Sequence, residues 1–316
     1  MLINHVLATE QKSRIFDDLI ESYSKYSSYE HVASIDPIDD ADVCIHHRIN
    51  KSKKIPRNSL AFIHHDLMDI DPAFSLKQYL LPIRKTSGII CLNTLQRKIL
   101  LEEGLKSQIE VIPHGYACTT EAIEIFKGIK LRKSRQQNFN ETKKTVLFIN
   151  SRRYMRGVKG ESNIRMLVKD LDINSYEFRL CGKDRLIDAI HARNNGFTAI
   201  HNQPKSYLES LELYNHADLL LILSWYEGGP ASLPEAISTE TPVITRRIAM
   251  AHDLFEENYL GFFSNYEELQ TLLTNWRSSK EFREELNAQT QNAVKNVLSQ
   301  AAVSNAIDKF CERILK

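Results

Sequence analysis

"GIICLNTLQRKILLEEGLKSQIEVIPHGY", residues 88–116, contains one complete strand–helix–strand pattern. Its apolar runs "GIICLN" and "IEVIPH" predict strands, and the apolar residues of "TLQRKILLEEG" between them recur at the spacing of an amphipathic helix. Two neighbouring strands that are joined by a helix pair in parallel. The stretch therefore predicts an α/β fold with a parallel sheet.

The same alternation continues along the chain. Further strands are predicted at 42–47 and 59–65 in the first half, and at 145–150, 177–182, 198–202, 219–224 and 242–246 in the second half. Helical patterns lie between them, such as "SNIRMLVKDL" and "SYLESLELYNHA". An alternation that occurs in both halves predicts two α/β domains, each with a mostly parallel sheet.

A polar stretch, "KLRKSRQQNFNETKK" (130–144), interrupts this pattern and indicates a surface connection. We place the domain boundary near residue 140, which gives domains of 1–140 and 141–316. Residues 290–316 are an amphipathic helical region, whose last helix (about 296–316) we expect to pack back toward the amino-terminal domain.

Composition excludes several classes of protein. The 316 residues are 42% hydrophobic and 26% charged, with a net charge of +1, which is typical of a soluble globular protein and gives no field to gather nucleic acid. Five scattered cysteines suggest neither a disulfide framework nor a zinc site. We expect a cytoplasmic protein whose membrane contact, if it has any, is peripheral. "RINKSKKIPR" (Arg48 to Arg57) would touch anionic lipid head groups or a phosphorylated acceptor, or else form a solvated loop.

"SWYEGGPASLPEA", residues 224–236, follows a predicted strand, and ligands of open parallel sheets bind beyond such strand ends. Gly228 and Gly229 allow the backbone to approach a ligand closely. The carboxylates of Glu227 and Glu235 can each accept two hydrogen bonds, which suits the vicinal hydroxyls of a ribose or a hexose. Ser232 and Glu235 also fit an S-x-x-E capping box, which needs no ligand.

"EGGPASLPEAISTETPVIT" (227–245) resembles the E-x7-E signature of retaining GT-B glycosyltransferases, above all those of family 4. The resemblance implies that Glu235 holds the ribose hydroxyls of a nucleotide-sugar donor and that Glu227 contacts the donor sugar. It also assigns Gly228, Gly229 and Leu233 to donor binding.

The sequence departs from this family pattern at three positions. Gly229 replaces an aromatic residue, Pro230 replaces a glycine, and Glu240 stands where another glycine is usual. These departures concern the shape of the sugar pocket.

A second motif, "FINSRRYMRGVKGES" (148–162), resembles the R-x5-K-G segment of the same family. The resemblance implies that Arg153 and Lys159 neutralise the donor diphosphate, since fixed cations stabilise a departing diphosphate without a metal. A basic surface loop is the alternative, because Arg152 and Arg156 lie in the same stretch. "RLCGKD" (179–184) resembles a family strand whose glycine, here Gly182, lies near the nucleotide.

In the first half, "SLAFIHHDLMDID" (59–71) resembles the family's His-Asp strand end. The histidine beside the reacting sugar would be His65, with His64 as the rival, although a purely structural histidine is the alternative. The turn at His114 resembles a turn of the family that lies near the cleft. The opening residues lack the family's glycine-rich loop, so we expect an abbreviated amino-terminal domain.

Two D-x-D triplets, at 40–42 and 69–71, fit a metal-dependent GT-A enzyme as an alternative, but neither follows a suitable strand pattern. We expect no metal and no cofactor.

The resemblance implies a GT-B fold, in which two Rossmann-like domains face a central cleft, and a retaining, metal-independent glycosyltransferase. The donor would be a nucleoside diphosphate sugar, with UDP-sugar as the first choice, and the acceptor a hydroxyl of a glycan, a lipid-linked or a small molecule. A catalytically silent GT-B-like subunit and a sugar-nucleotide epimerase remain as alternatives.

Overall fold

A computed structural model of the protein describes residues 1–9, 14–71, 75–135 and 143–316. The chain divides into two compact units. The first unit contains Met1–Gly115, Glu227–Gly229 and Leu298–Lys316, and the second contains Tyr116–Tyr226 and Pro230–Val297. The boundary expected near residue 140 lies outside the described residues.

Each unit contains one parallel sheet of six strands. In the first unit the strand order is β2-β1-β3-β4-β5-β6, with β1 Leu2–Val6, β2 Glu30–Ser34, β3 Val43–His46, β4 Ser59–Ile63, β5 Gly88–Cys91 and β6 Gln108–Val111. In the second unit the order is β12-β11-β10-β7-β8-β9, with β7 Thr145–Asn150, β8 Tyr176–Cys181, β9 Ala199–Asn202, β10 Leu219–Ile222, β11 Val243–Arg246 and β12 Phe262–Phe263. All the strands predicted from sequence are present.

Helices connect the strands. They are α1 Arg14–Tyr26, α2 Leu76–Ile83, α3 Thr94–Glu102, α4 Thr120–Arg135, α5 Glu161–Asp170, α6 Leu186–Asn194, α7 Tyr207–Glu212, α8 Ser232–Ser238, α9 Ala249–Leu254, α10 Tyr266–Ser278, α11 Lys280–Ala293 and α12 Gln300–Leu315. Short 3₁₀ turns occur at Ile49–Lys51, Leu213–His216 and Val294–Asn296.

The central strands are buried along their whole length, which explains their continuous apolar sequences. All residues of β4 and β5 are buried, and their side chains pack with Tyr79 and Ile83 of α2 and Leu100 of α3 in one hydrophobic cluster. Continuous apolar strands are characteristic of parallel sheets that helices cover. The opening residues form β1, so the first sheet has as many strands as the second.

The carboxy-terminal helix α12 belongs to the first unit and packs on α1. The hydroxyl of Ser304 donates to the carbonyl oxygen of Tyr23 over 2.8 Å. The helix begins at Gln300, and the side chain of Ser299 caps it by accepting the amide hydrogen of Ala302. The region 290–316 is therefore not one continuous helix, because α11 ends at Ala293 and a 3₁₀ turn follows.

Candidate active site

The first part of the motif, Glu227–Gly229, is held by strand ends of the first unit. The side-chain amide of Asn93 donates to the carbonyl oxygen of Gly228 over 2.7 Å. The amide of Glu227 donates to Oδ2 of Asp66 over 3.1 Å. A Cβ atom at position 228 would lie 2.2 Å from the carbonyl oxygen of His64, so only glycine fits there.

The residues that hold this segment are themselves fixed by buried hydrogen bonds. Asn93 is the N-cap of α3, and its side-chain oxygen accepts the amide hydrogen of Gln96 over 2.8 Å. The side chain of Gln96 accepts from the amide of Leu92 and donates to the carbonyl oxygen of His65. The ends of β4 and β5 therefore present a rigid platform to residues 227–229.

The electrostatic environment of Glu227 includes a histidine and an aspartate. Burial lowers the pKa of His114 to about 4, and the negative charge of Glu227 partly opposes this shift. Burial raises the pKa of Asp66, and hydrogen bonds from the amides of Met68 and Glu227 oppose that shift. Glu227 thus lies close enough to both groups to affect their titration.

The two candidate histidines at the end of β4 have different surroundings. The ring of His65 lies 6.0 Å from the ring of Tyr79. The Nε2 atom of His64 is hydrogen-bonded to Nδ1 of His47 over 2.8 Å, and its ring stacks on Phe62 at 4.2 Å. A site role for His65 stays a prediction.

In the second unit, Glu235 is buried and bonded to a tyrosine. Its Oε2 atom accepts the hydroxyl hydrogen of Tyr214 over 2.9 Å, and the side chain is 5% exposed. Burial raises the pKa of Glu235 to about 7, while hydrogen bonds from Tyr214 and Tyr207 work in the opposite direction. Near neutral pH the carboxyl group is therefore divided between its protonated and ionised forms.

The capping-box interpretation of Ser232 and Glu235 is wrong. Helix α8 begins at Ser232, and its N-cap is Ala231, which has no side-chain oxygen. Ser232 is thus already inside the helix, and the carboxyl group of Glu235 bonds to Tyr214 instead.

The loop of the second motif folds around a carboxylate that the sequence analysis missed. The two oxygens of Glu161 accept the amide hydrogens of Tyr154, over 2.9 Å, and of Lys159, over 3.0 Å. The Nε atom of Arg153 donates to Oδ1 of Asp188 over 3.3 Å. Arg152 is exposed and lies over the ring of Tyr154.

A fully buried arginine supports this loop, and sequence reasoning missed it as well. Arg185 donates to Oδ2 of Asp188 over 2.8 Å and to the carbonyl oxygen of Ser151 over 2.9 Å. It also donates to the carbonyl oxygen of Lys159 over 3.3 Å. A buried guanidinium must be paired, so Asp188 fixes both Arg185 and Arg153. The spacing of Arg185 and Asp188, three residues apart at a helix start, was the available signal.

Gly182 has a structural explanation in addition to the predicted one. Its φ is +120°, and a Cβ atom would lie 2.5 Å from the carbonyl oxygen of Ser151. The amide of Ser151 donates to the carbonyl oxygen of Cys181, and that of Arg153 donates to the carbonyl oxygen of Lys183. Glycine at 182 lets the ends of β7 and β8 continue side by side.

Some residues of the D-x-D triplets and of the basic stretch bond to other residues of the protein. Oδ2 of Asp42 accepts the amide hydrogen of Leu2, and Oδ1 of Asp69 accepts that of Asp71. Lys54 forms an exposed ion pair with Asp39 at 2.7 Å. Within 1–9, 14–71, 75–135 and 143–316, no group of three or more His, Cys, Asp or Glu side chains is arranged so that it could hold a metal ion. Over the same residues, every helix is too short or too polar to cross a bilayer.

Solved structures with the same fold include several glycosyltransferases. The sucrose-phosphate synthase of Thermosynechococcus elongatus superposes with a TM-score of 0.71 at 11% identity, covering 99% of this chain and 98% of that one. Anabaena HepE, solved with UDP and glucose, gives 0.69 at 12% identity and covers 99% of this chain and 100% of that one. A glycosyltransferase from Rickettsia africae gives a TM-score of 0.69 at 14% identity and covers 100% of this chain and 98% of that one.

These likenesses confirm the α/β fold of two Rossmann-like domains with parallel sheets that GT-B enzymes have, and they show that the GT-A alternative is wrong. A search of curated protein sequences finds no matching relative. The family described as glycosyl transferases group 1 matches residues 130–293, just over half of the chain. This protein therefore belongs to the group 1 family of glycosyltransferases.

Proposed function

We propose that this protein is a retaining, metal-independent glycosyltransferase that moves a sugar from a UDP-sugar to a hydroxyl group of a glycan or a lipid-linked acceptor. One observation carries the proposal. The segment matched by the family includes both acidic residues of the motif, with Glu227 in the loop that follows the buried strand β10 and Glu235 in the first turn of α8. They stand where ligands of parallel sheets bind.

The surroundings of Glu235 suit a ribose. A carboxylate offers about four lone-pair positions, and Tyr214 and Tyr207 use two of them. The remaining positions can accept the two vicinal hydroxyls of a ribose. A diol that donates both hydrogens favours the ionised carboxylate, so binding would lower the pKa of Glu235 from its value of about 7.

Arg153 is suited to the donor diphosphate. Its bond to Asp188 uses Nε, and its two terminal nitrogens form no hydrogen bond with the described residues. A guanidinium that is fixed at one edge and open at the other can bind phosphate oxygens in a bidentate manner. Together with Lys159 it would stabilise the charge that develops on the leaving diphosphate.

UDP is the first nucleotide to test, because HepE was solved with UDP and glucose. The donor-binding part of the proposal is tested by thermal unfolding with UDP, GDP, ADP and their sugar conjugates. A ligand at 100 times its dissociation constant adds about 2.7 kcal/mol of stability, which is readily measured. We expect stabilisation by UDP and by at least one UDP-sugar.

The matched variants for this test are Glu235→Gln and Glu240→Gln. The first changes the carboxyl group proposed to hold the ribose, and we expect the UDP-induced shift to be lost. The second changes a carboxylate just past the end of the same helix, which pairs with Lys130 at 2.9 Å, and should keep the full shift. If no nucleotide stabilises the parent protein, the silent-subunit alternative is favoured.

The reaction itself is tested with a UDP-sugar and a panel of acceptors in the presence of EDTA. NMR of the product should show the anomeric configuration of the donor, and Glu227→Gln should abolish transfer. An inverted product, or activity that EDTA removes, would contradict the proposed mechanism. Conversion of the UDP-sugar without an acceptor into an epimer would support the epimerase alternative.

A further inference from the structure

Four histidines of the first unit form a hydrogen-bonded chain of rings, which we call the histidine row: His31, His5, His47 and His64. Nδ1 of His31 lies 2.8 Å from Nε2 of His5. Nδ1 of His5 lies 2.9 Å from Nε2 of His47, and Nδ1 of His47 lies 2.8 Å from Nε2 of His64. Each contact thus joins Nδ1 of one ring to Nε2 of the next.

The rings of this row are neutral. The side chains of His5 and His31 are fully buried, and His47 is 1% exposed. Burial lowers the pKa of His47 to about 3 and holds the pKa values of His5 and His64 well below the usual range. A neutral imidazole has one N–H and one bare nitrogen. Since every ring bonds to the next, the row has only two consistent arrangements, with all protons on Nε2 or all on Nδ1.

A buried carboxylate stands at one end of the row. Oδ1 of Asp308, on α12, lies 3.7 Å from Nε2 of His31. Both oxygens of Asp308 accept from the hydroxyl of Ser27, and Oδ2 also accepts the amide hydrogen of Ser28. The separation of 3.7 Å exceeds a hydrogen bond, so the negative charge acts on His31 through space. It favours the proton on Nε2 of His31, and therefore on Nε2 throughout the row.

The other end of the row lies at the candidate active site. With the protons on Nε2, the Nδ1 atom of His64 is bare. His64 is half-buried, its carbonyl group packs against Gly228, and its ring lies 6.0 Å from the ring of His114. The charge of Glu227 reaches that same His114.

Other groups also face the row. The ring of Tyr23, on α1, stacks on His5 at 6.0 Å, and Phe16 lies against His47 and His64. The positive charge of Arg48 further opposes protonation of His47 and His64. These neighbours disfavour a stored positive charge, while the direction of the row depends on Asp308.

We propose that the carboxylate of Asp308 sets the direction of the histidine row, so that His64 offers an unprotonated Nδ1 to the acceptor hydroxyl of the transfer reaction and takes up its proton. This inference rests on the proposed glycosyltransferase function. His64 would be a catalytic residue, and the other three histidines and Asp308 would be positioning residues.

The step balances as a shift of one proton along the row. The acceptor O–H bond breaks and an Nδ1–H bond forms on His64, while each Nε2 proton moves to Nδ1 of the next ring. The last proton passes from Nε2 of His31 to Oδ1 of Asp308 as the 3.7 Å gap closes. The acceptor oxygen bonds to the anomeric carbon, and the departing diphosphate keeps the electron pair of the broken C–O bond. All four rings end neutral, each with its proton on Nδ1. After the product leaves, His64 gives its Nδ1 proton to water, each remaining Nδ1 proton moves back to Nε2 of the preceding ring, and the proton on Asp308 returns to Nε2 of His31.

The substitution Asp308→Asn tests the direction of the row with almost no change in shape. The amide hydrogen of Ser28 holds an acceptor at the Oδ2 position, so the NH₂ group of asparagine would face His31. Its amide hydrogens would turn positive partial charge toward Nε2 of His31 at 3.7 Å, which disfavours a proton there and favours the reversed arrangement of the row. The matched control is Glu312→Gln, one turn along α12, whose carboxylate accepts from the hydroxyl of Tyr29 and does not touch the row.

The readout is the tautomer of His64, measured by NMR of protein labelled with ¹⁵N-histidine. We expect N–H at Nε2 in the parent protein and in Glu312→Gln, and N–H at Nδ1 in Asp308→Asn. The parent protein alone already decides the direction, so N–H at Nδ1 of its His64 would overturn the proposal even if the variant did not fold. The same tautomer in the parent protein and in Asp308→Asn would also overturn it.

Activity separates this inference from the proposed function. In Asp308→Asn we expect kcat to fall at least about tenfold with the UDP-induced thermal shift unchanged, and Glu312→Gln to keep both. An unchanged kcat in Asp308→Asn would refute the catalytic use of the row. Absence of nucleotide binding in all three proteins would refute the proposed function. The tautomer measurement would still decide whether Asp308 sets the direction of the row.

Discussion

Acidification from pH 7.5 to 5.5 should destabilise the first unit and stabilise the second. The fully buried histidines His5, His46 and His47 carry this effect in the first unit. Burial lowers the pKa of His46 to about 4 and that of His47 to about 3, and that of His5 falls well below its usual range. The unfolded chain therefore binds protons near pH 6.5 that the folded unit does not bind.

The sign and the size of the change in the free energy of unfolding follow from this difference in proton binding. A histidine with a depressed folded pKa contributes stability that is fully present above pH 6.5 and is lost as the pH falls below it. Between pH 7.5 and 5.5 each of the three groups removes about 1.4 kcal/mol, or about 4 kcal/mol together, and the lowered pKa values of His64 and His114 add to this loss. That is a large part of the stability of an ordinary domain, about 5–15 kcal/mol.

Glu235 acts in the opposite direction in the second unit. Its pKa is raised from 4.5 to about 7, so the folded carboxyl group keeps a proton that the unfolded chain releases. This contribution is lost as the pH rises through 7, and it adds about 2 kcal/mol to the second unit on going from pH 7.5 to 5.5.

Urea unfolding at the two pH values measures both effects. Tryptophan fluorescence reports the second unit, because both tryptophans, Trp225 and Trp276, belong to it. Hydrogen exchange of peptides from β1 and β3 reports the first unit. With a urea slope of about 2 kcal/mol/M, the midpoint of the first unit should fall by at least about 2 M and that of the second should rise by about 1 M.

Two variants make the test specific. His46→Gln removes one titrating group and should reduce the pH-dependent loss in the first unit by about 1.4 kcal/mol, whatever its effect at pH 7.5. His252→Gln changes an exposed histidine of the second unit and should leave both shifts unaltered. Equal stability of the first unit at both pH values would refute the assignment of neutral, buried imidazoles.

Three further predictions concern the backbone around the motifs. Asn93→Ala removes a helix cap and the bond to the Gly228 carbonyl, so it should lower the free energy of unfolding, measured with urea, by about 2 kcal/mol. Asn93→Ser keeps the cap and should lose about half of that, and equal losses would argue against the Gly228 bond. Gly182→Ala should lower the free energy of unfolding by about 3 kcal/mol, because its Cβ would clash with Ser151 at a positive φ. Since a loss of 1 kcal/mol already lowers Tm by at least roughly 2 °C, a calorimetric Tm within about 2 °C of the parent would exclude the clash. Glu240→Gly should be more stable than Glu240→Ala by about 1 kcal/mol, because Glu240 has a φ of 55°, which glycine adopts without strain, and both variants lose the same side-chain contacts. Identical urea midpoints of the two variants would mean that this backbone is unstrained.

The fold class was predictable because it depends on local patterns. A buried parallel strand requires a continuous apolar run, and such runs as "LLLILS" before β10 and "TVLFIN" at β7 were recognisable. The opening strand β1 was not predicted, since Asn4 and His5 interrupt its apolar residues. Both are buried and hydrogen-bonded to neighbouring strands, which no local pattern reveals.

The site was predictable only in part. The spacing of Glu227 and Glu235 marked the motif, but a Ser-x-x-Glu pattern fits a capping box and a binding site equally well. The structure excludes the capping box, because Glu235 bonds to Tyr214, which is 21 residues away in sequence and 2.9 Å away in space. Likewise the bond between Asp188 and Arg153 could not be predicted from sequence, because it forms only when the fold brings the end of β7 next to α6.

The sequence by itself determined the two parallel α/β sheets and the position of the segment with Glu227 and Glu235, because periodicity and strand-end residues are local properties. Only the tertiary structure decided the histidine row, whose members are 26, 42 and 17 residues apart in sequence. The register pairs Ile3 with His31, His5 with Ile45 and His46 with Ala61, so each next histidine is displaced by two residues along the chain, with His47 and His64 just past the ends of β3 and β4. Side chains two residues apart share a face, and strand order and register, which no single segment encodes, bring the rings within hydrogen-bond distance.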